Sequence, residues 1–175
     1  MQTSVLNELR QSIGSVTTLA LDEPTIRLEG LELKGLVGSL TLLRTDSGLL
    51  VSLDGRAHVR EACARCLVES DFGVDIHFEE EFIPIVDANT GARIRTREAE
   101  DSFRIGPDFV LDLREALREY RLIAEPLKPL CKPECAGLCA SCGTNLNDGA
   151  CTCVPGGDER WVALAGLNSN QAKGS

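Results

Sequence analysis

Apolar and polar residues alternate along the chain from Leu28 to about residue 62. A period of two is typical of antiparallel strands that bury one face and leave the other in water. Residues 46–48 (DSG) divide this run, and Asp54-Gly55 is a pair that favours a tight hairpin turn. The leucines that the alternation places on the buried side are Leu31, Leu33, Leu40 and Leu42.

A C-x-x-C motif from Cys63 to Cys66 interrupts the alternation, which resumes beyond it from Val74 to Phe78. The motif is therefore predicted on a turn between two strands. Residues 87–108 are polar and contain two glycines and a proline, so they are predicted to leave the sheet as a flexible excursion.

Two segments have helical spacing. Residues 5–13 are predicted to form a short helix, and residues 112–124 a longer one. Asp112 and Glu115 make a D-x-x-E capping pattern at the start of the second helix, and Pro126 ends it. The apolar stripe predicted for this helix is Leu113, Leu117, Tyr120, Leu122 and Ile123.

These elements predict an α+β fold. An antiparallel, curved or barrel-like β-sheet would pack against the second helix, and a cysteine-rich tail of metal knuckles would follow. Pro24 is expected to interrupt the strand that leads into the sheet. The expected organisation is an N-terminal helix and lead-in strand at 1–27, a β-rich core with a C-x-R-C turn and closing helix at 28–125, a cysteine-rich tail with a terminal helix at 126–167, and a disordered end at 168–175.

Acidic residues outnumber basic ones in this 175-residue chain by 27 to 18, for a formal net charge of −9. Nucleic-acid-binding domains usually present a basic face, so this balance favours a basic protein partner. No apolar run is long enough for a signal peptide or a membrane span. We therefore expect a cytoplasmic protein without membrane contact.

Cysteines are the strongest chemical signal. Six of the eight lie between residues 131 and 153, in the pattern C-x3-C-x3-C-x2-C-x8-C-x-C. Disulfides are rare in the cytoplasm, so clustered cysteines favour metal sites. A set of disulfides, or scattered buried thiols, is the alternative. Zinc is the default metal for four sulfur ligands, although iron–sulfur centres use the same ligands.

Eight sulfur atoms suit two sites of four. Cys139 and Cys142 can close a local site with the last two cysteines of the pattern, Cys151 and Cys153. The remaining four would then form a second site from Cys63, Cys66, Cys131 and Cys135. Other pairings of the C-x-x-C motif with the tail stay open. Two zinc ions with four protein ligands each keep no open position, which favours a structural role.

Other chemistry is weakly represented. The sequence contains no phosphate-binding glycine loop and no nucleophile elbow, and its two histidines lie in predicted strands. We therefore predict that the protein is not an enzyme and has no small-molecule substrate. Candidate contacts to RNA or to a partner are Arg56, Arg60 and Arg65 around the C-x-x-C motif, and Arg93, Arg95 and Arg97 in the polar excursion, where a solvated loop is the favoured interpretation.

Several spaced motifs occur in a fixed order over residues 28–167. They are Cys63-Ala64-Arg65-Cys66-Leu67, Asp112-Leu113, Pro126-Leu127-Lys128-Pro129-Leu130-Cys131, Gly137-Leu138-Cys139, Cys142-Gly143, Asn145-Leu146-Asn147 and Asp158-Glu159-Arg160-Trp161. With these motifs the chain resembles the YceD family, a bacterial and plastid family linked to accumulation of large-subunit ribosomal RNA. Its members commonly have Pro where this chain has Ala140, and some keep the C-x-R-C pair while lacking most tail cysteines. The resemblance implies no catalytic residues.

Three functions remain as hypotheses. The resemblance implies a non-enzymatic ribosome-biogenesis factor that supports accumulation of 23S ribosomal RNA by binding a large-subunit ribosomal protein or pre-ribosomal RNA. An RNA-binding zinc module is the first alternative, and it predicts an affinity for RNA that falls with salt. A thiol redox or zinc-handling protein is the second, and it requires Cys63 and Cys66 to be free and reactive.

Overall fold

The computed structural model describes residues 1–94, 103–153 and 160. The chain divides into two compact units. The first, here called the sheet unit, comprises residues 1–61 and 70–129. The second, the cysteine unit, comprises residues 62–69 and the chain from Leu130 onwards. The predicted terminal helix and the predicted disordered end lie outside the described residues, apart from Arg160.

Seven strands and two helices make up the regular structure of the described residues. In chain order they are β1 (Gln2–Ser4), α1 (Leu6–Arg10), β2 (Val16–Leu28), β3 (Leu31–Arg44), β4 (Leu49–Ala62), β5 (Glu69–Pro84), β6 (Phe103–Ile105), β7 (Val110–Asp112) and α2 (Arg114–Ala124). Strands therefore dominate, with few helices, and the fold is of the α+β type. No helix of this described part is both long enough and apolar enough to cross a bilayer.

The main sheet has five strands in the order β2-β3-β4-β5-β6. Strands β2 and β3 are antiparallel, as are β3 and β4, whereas the short β6 is parallel to β5. The sheet is open, because β2 and β6 lie at opposite ends of this order. The predicted barrel-like closure is therefore wrong. A separate two-stranded sheet pairs β1 with β7.

Pro24 lies on β2, the edge strand at one end of the sheet. Strand β2 begins at Val16 and continues through this proline, so the predicted interruption is wrong. The pairing with β3 passes from Glu23 opposite Leu36 to Thr25 opposite Lys34 and skips the proline. A residue without an N–H group is tolerated on an edge strand but cannot donate to a further strand.

Asp54-Gly55, predicted as a hairpin turn, lies inside β4. Gly55 faces Gly38 of β3. A Cβ atom on Gly38 would lie 2.0 Å from the backbone oxygen of Asp54, so this glycine permits a close approach of the two strands. The turn between β3 and β4 is at residues 45–48, where the Thr45 N–H donates to the Gly48 carbonyl at 3.1 Å. The predicted turn at 46–48 is confirmed.

The core of the sheet unit is built from the alternating apolar residues. Leu33, Leu40 and Leu42 are buried as predicted, and Leu31 is half-buried and packs against this core. Helix α2 contributes the buried residues Ala116 and Leu117. The aliphatic alternation of β3 to β5 therefore supplies most of the apolar contact that stabilises this unit.

Helix α2 ends at Ala124 as predicted but departs from its prediction at its start and along its apolar stripe. It begins at Arg114, and Asp112 belongs to β7, where its carboxylate accepts the Arg114 N–H at 3.0 Å. The predicted stripe is wrong at Leu122 and Ile123, which are 48% and 75% exposed. The buried position in that turn belongs instead to Arg121, which lies one turn after Leu117 and is 3% exposed.

Arg121 is held by two carboxylates. Its guanidinium donates to Glu61 at the end of β4, and to Glu125 at 3.1 Å in the next turn of the chain. Burying a guanidinium is costly unless it is paired, so these carboxylates account for its position. Sequence periodicity missed this residue because Glu61 lies sixty positions away.

Candidate metal centres

The C-x-x-C motif forms a knuckle on the turn between β4 and β5. The Leu67 N–H donates to the Cys63 carbonyl at 2.9 Å, and the Cys63 N–H donates to the Val68 carbonyl at 2.9 Å. These two bonds close the turn and direct both cysteines inward. Cys63 and Cys66 are buried, and they form a small apolar cluster with Cys135, packed by Leu130 and Leu138.

Four sulfur atoms converge in what we call the first cluster, made of Cys63, Cys66, Cys131 and Cys135. Cys63 Sγ lies 3.8 Å from Cys135 Sγ, and Cys66 Sγ lies 3.6 Å from Cys131 Sγ. A zinc ion with Zn–S distances of ~2.3 Å separates its tetrahedral ligands by about 3.8 Å. The spacing of the sulfurs therefore fits a tetrahedral metal ion, and all four are free thiols.

Backbone amides favour thiolates in the first cluster. The backbone N–H of Cys131 lowers the pKa of Cys63 to about 6, while loss of water from its surroundings acts in the opposite direction. The side chain of Asn147 lowers the pKa of Cys135. Loss of water and the neighbouring thiols raise the pKa of Cys131 to about 12. Without a metal, the cluster therefore retains protons that a divalent cation would displace.

The second cluster consists of Cys139, Cys142, Cys151 and Cys153, whose sulfur atoms also lie within 4.8 Å of one another. Its C-x-x-C knuckle repeats the bonds of the first. The Gly143 N–H donates to the Cys139 carbonyl at 2.9 Å, and the Cys139 N–H donates to the Thr144 carbonyl at 2.8 Å. None of the four cysteines is buried. The Thr144 side chain lowers the pKa of Cys142 to about 6.

Asn147 connects the two clusters. It lies in the loop between Cys142 and Cys151, yet its Nδ2 donates to Cys135 Sγ of the first cluster at 3.3 Å. Its Oδ1 accepts the Ala136 N–H at 3.0 Å. Amide donors of this kind orient a ligand and stabilise its negative charge. The loop of the second cluster therefore supports the first.

Arg65 has a local structural role. Its guanidinium donates to the Cys135 carbonyl at 2.9 Å, and its own carbonyl accepts the Leu138 N–H at 3.1 Å. Gly137 lies against this residue, since a Cβ there would be 3.2 Å from the Arg65 carbonyl oxygen. The arginine of the C-x-R-C turn thus joins the C-x-x-C knuckle to the tail that supplies Cys131 and Cys135.

The other predicted contact arginines are scattered. Arg56 is exposed on β4 and pairs with Asp75 of β5 at 2.8 Å. Arg60 is exposed on the same strand, and Arg93 lies in an isolated bridge with Val86. Arg95 and Arg97 lie outside the described residues. These positions do not form one basic surface within the part of the chain that the structure describes.

A cavity of about 380 Å³ in the sheet unit brings together arginines that the sequence did not single out. Phe103 lines it beside the acidic residues Glu29, Asp112 and Glu115. Its arginines come from β2, β6 and α2, so no local motif could have indicated them. They are Arg27, Arg104, Arg114 and Arg118.

Comparison with known proteins finds relatives in mycobacteria. An uncharacterized protein of Mycobacterium leprae is 27% identical over 139 residues, which cover 76% of this chain and 62% of that protein. An uncharacterized protein of Mycobacterium tuberculosis is 29% identical over 145 residues, covering 71% of this chain. The chain thus matches less than two thirds of the length of these relatives, 62% and 65%. No solved structure matches it.

A plant protein carries an informative name. The large ribosomal RNA subunit accumulation protein YCED homolog 1, chloroplastic, of Zea mays is 39% identical over 61 residues, which cover 34% of this chain and 21% of that protein. The sequence profile of the large ribosomal RNA subunit accumulation protein YceD matches residues 51–168. That stretch contains both cysteine clusters and most of the sheet from β4 onwards. On this match, the chain belongs to the YceD family.

Proposed function

We propose that this protein is a non-enzymatic ribosome-biogenesis factor that supports accumulation of 23S ribosomal RNA. The family match over residues 51–168 carries this proposal, and the name of the Zea mays relative supports it. The protein would act by binding a large-subunit ribosomal protein or pre-ribosomal RNA. The two cysteine clusters would give the binding region its fixed shape.

Zinc is the metal that we propose for both clusters. Each offers four thiols at a spacing suited to a tetrahedral ion, with no nitrogen or oxygen ligand among them. Four protein ligands leave no position for water or substrate, which favours a structural ion over a hydrolytic one. Zinc would therefore supply folding energy to the cysteine unit.

A basic protein is the partner class that charge favours. The formal net charge of the chain is −9. Eight thiolates add eight negative charges and two zinc ions return four, so the loaded protein carries −13. Ribosomal proteins that bind RNA are rich in Lys and Arg, and such a charge difference accelerates their association with an acidic protein.

The test is genetic and biochemical together. A bacterium from which the family member has been deleted is complemented with this chain, and the ratio of 23S to 16S ribosomal RNA is measured. We expect the deletion to lower the ratio and the wild-type chain to restore it. A normal ratio in the deletion strain, with no large-subunit component recovered on the immobilised protein at low salt, would reject the proposal.

Direct RNA binding is a second candidate, favoured by the arginine-lined cavity of the sheet unit. Arg118 is half-buried there and has no hydrogen bond or ion pair among the described residues. If this cavity holds RNA phosphates, the affinity for 23S ribosomal RNA falls steeply with salt. Arg118→Gln would lower both the affinity and the salt slope. An affinity that does not change with salt would exclude this candidate.

A further inference from the structure

The two C-x-x-C knuckles have the same backbone hydrogen bonds and differ in the residue that follows the second cysteine. In each, the residue after the second cysteine donates its N–H to the carbonyl of the first cysteine, at 2.9 Å in both cases. That residue has positive φ in both knuckles, 61° at Leu67 and 73° at Gly143. The second knuckle thus uses the residue that this conformation favours, and the first uses a leucine.

A leucine at positive φ is strained. The left-handed conformation brings Cβ close to the backbone oxygen. Residues other than glycine rarely adopt it, and bulky residues such as leucine do so least. Such strained residues concentrate at functional positions, where another benefit outweighs the strain. The knuckle itself does not require leucine, because Gly143 forms the same hydrogen bonds without a side chain.

Packing among the described residues does not explain the leucine either. The side chain of Leu67 is 65% exposed, and that of the following Val68 is 48% exposed. They are the exposed large hydrophobic residues of the described part of the cysteine unit. The strained backbone therefore presents an apolar pair to solvent, beside the exposed Arg65.

Charge indicates what would cover this pair. Residues 62–69 and 130–153 contain two basic side chains and three acidic ones, for a net charge of −1. With two divalent ions on eight thiolates, the net charge of this segment becomes −5. Phosphate groups would be repelled from such a surface, whereas a cationic segment would be attracted to it.

We propose that Leu67 and Val68 form a docking site for a basic protein segment that carries an apolar side chain. The apolar side chain would pack on Leu67, and its Lys or Arg neighbours would face the negative charge of the metal-loaded clusters. The proposal rests on the proposed function in one respect, since a large-subunit ribosomal protein is the expected source of the segment. A few residues carry most of the binding energy of a protein–protein interface, so the loss of one docking side chain is measurable.

The experiment uses the zinc-loaded chain of 175 residues and two probes. One probe is the mixture of large-subunit ribosomal proteins freed of RNA, with retained proteins identified by mass spectrometry and titrated singly. The other is protein-free 23S ribosomal RNA. The variants are Leu67→Gly, which removes both side chain and strain, and Leu67→Ala, which removes the side chain and keeps the strain. Leu127→Gly, at a fully exposed leucine of the sheet unit, is the matched control.

We expect the wild type to retain a basic ribosomal protein, and both Leu67 variants to weaken that affinity by about tenfold or more. Leu127→Gly should bind as the wild type does. Zinc content should stay unchanged in Leu67→Gly. Its thermal stability should equal or exceed that of the wild type, which separates lost contact from lost folding.

Several results would overturn the inference. They are equal affinity in the wild type and Leu67→Gly, loss of zinc from Leu67→Gly, retention of RNA in place of protein, and a dimer of this chain that Leu67→Gly dissociates. The proposed function is tested separately, by measuring the level of 23S ribosomal RNA in the complemented deletion strain. If the wild type restores them and Leu67→Gly restores them equally, the docking site is wrong and the function stands. If the wild type fails to restore them, the function is wrong whatever the binding data show.

Discussion

The two cysteine clusters have the same ligands and the same knuckle hydrogen bonds, yet they differ in span and burial. The first cluster joins Cys63 to Cys135, which are 72 positions apart, and three of its four cysteines are buried. The second lies within residues 139–153, and none of its cysteines is buried. Identical sets of four thiols therefore join distant segments in one place and lie within a local loop in another.

The two clusters should stabilise the fold to different extents, because they close loops of different length in the unfolded chain. A cross-link that closes a loop of roughly 70 residues removes unfolded-state entropy worth about 4 kcal/mol, against about 3 kcal/mol for a loop of roughly 15 residues. A metal ion that clips two chain segments acts on the unfolded ensemble in the same way. The first cluster should therefore stabilise the folded chain more than the second.

The largest expected effect is the loss of one ion by substitution of a ligand. Cys63→Ser should remove the first ion and reduce the free energy of unfolding of the cysteine unit by about 4 kcal/mol or more, because a long loop is released and a buried hydroxyl is left unpaired. Mass spectrometry gives the zinc content, and hydrogen exchange of residues 62–69 and 130–153 reports the stability.

Cys142→Ser is the matched variant in the second cluster. It should also remove one ion, leave the first cluster loaded, and increase exchange mainly within residues 139–153. The comparison fails if the two variants release the same number of ions and lose equal protection everywhere. It also fails if Cys142→Ser is the more damaging of the two.

The second prediction concerns Leu67 and Gly143, the residues that follow the second cysteine of each knuckle. Gly143→Leu should destabilise the cysteine unit by about 1–2 kcal/mol, because the backbone imposes positive φ while the space around the residue is open. Leu67→Gly should leave stability unchanged or raise it by less than about 1 kcal/mol, since relief of strain is offset by the greater freedom of glycine in the unfolded chain. Denaturant titrations of the zinc-loaded proteins measure both.

Equal stability of Gly143→Leu and the wild type would contradict the equivalence of the two knuckles. Such a result would mean that the second knuckle relaxes to another backbone conformation. The crystal structure of that variant would then show a φ below zero at residue 143.

Local patterns predicted much of this fold. Period-two alternation located β3, β4 and β5, and short cysteine spacings favoured the grouping of sulfurs that the structure contains. The errors lie where a residue depends on a distant one. Asp54-Gly55 was predicted to be a turn, because the sequence does not show that Gly55 pairs with Gly38 of another strand. Arg121 was not predicted to be buried, because its partner Glu61 is distant in the sequence.

The positive φ at Leu67 can be predicted from the sequence, but only by comparing the two C-x-x-C motifs with each other. Aligning residues 63–68 with residues 139–144 places Leu67 opposite Gly143, which indicates positive φ at the leucine. The same alignment does not locate Asn147, whose contact with Cys135 depends on the fold of a loop. Strand β6 lies in the segment that was predicted to be a polar excursion. The sequence did not indicate this strand, because three residues are too few to establish a period of two.

Asn147 provides the third prediction, because it belongs to the loop of one cluster and contacts the other. Asn147→Ala removes the donor to Cys135 Sγ and the acceptor of the Ala136 N–H. We expect a loss of about 1–2 kcal/mol in the stability of the first cluster and faster release of its ion to a chelator. Asn147→Asp is the control, since it keeps the acceptor and loses the donor. Faster release from the second cluster alone would contradict this assignment.

Thr144 gives the smallest effect and a pH dependence. Its Oγ1 lies 3.2 Å from Cys142 Sγ and lowers the pKa of that thiol to about 6. Thr144→Val should raise this pKa, so that protons compete with the metal up to a higher pH. The affinity of the second cluster should fall roughly threefold near neutral pH. The difference should grow as the pH falls towards 6 and disappear where Cys142 is a thiolate in both proteins. Competition titrations with a zinc chelator between pH 6 and about 9 measure this. An affinity difference that is constant with pH would show that Thr144 stabilises the loop and does not act on the thiolate.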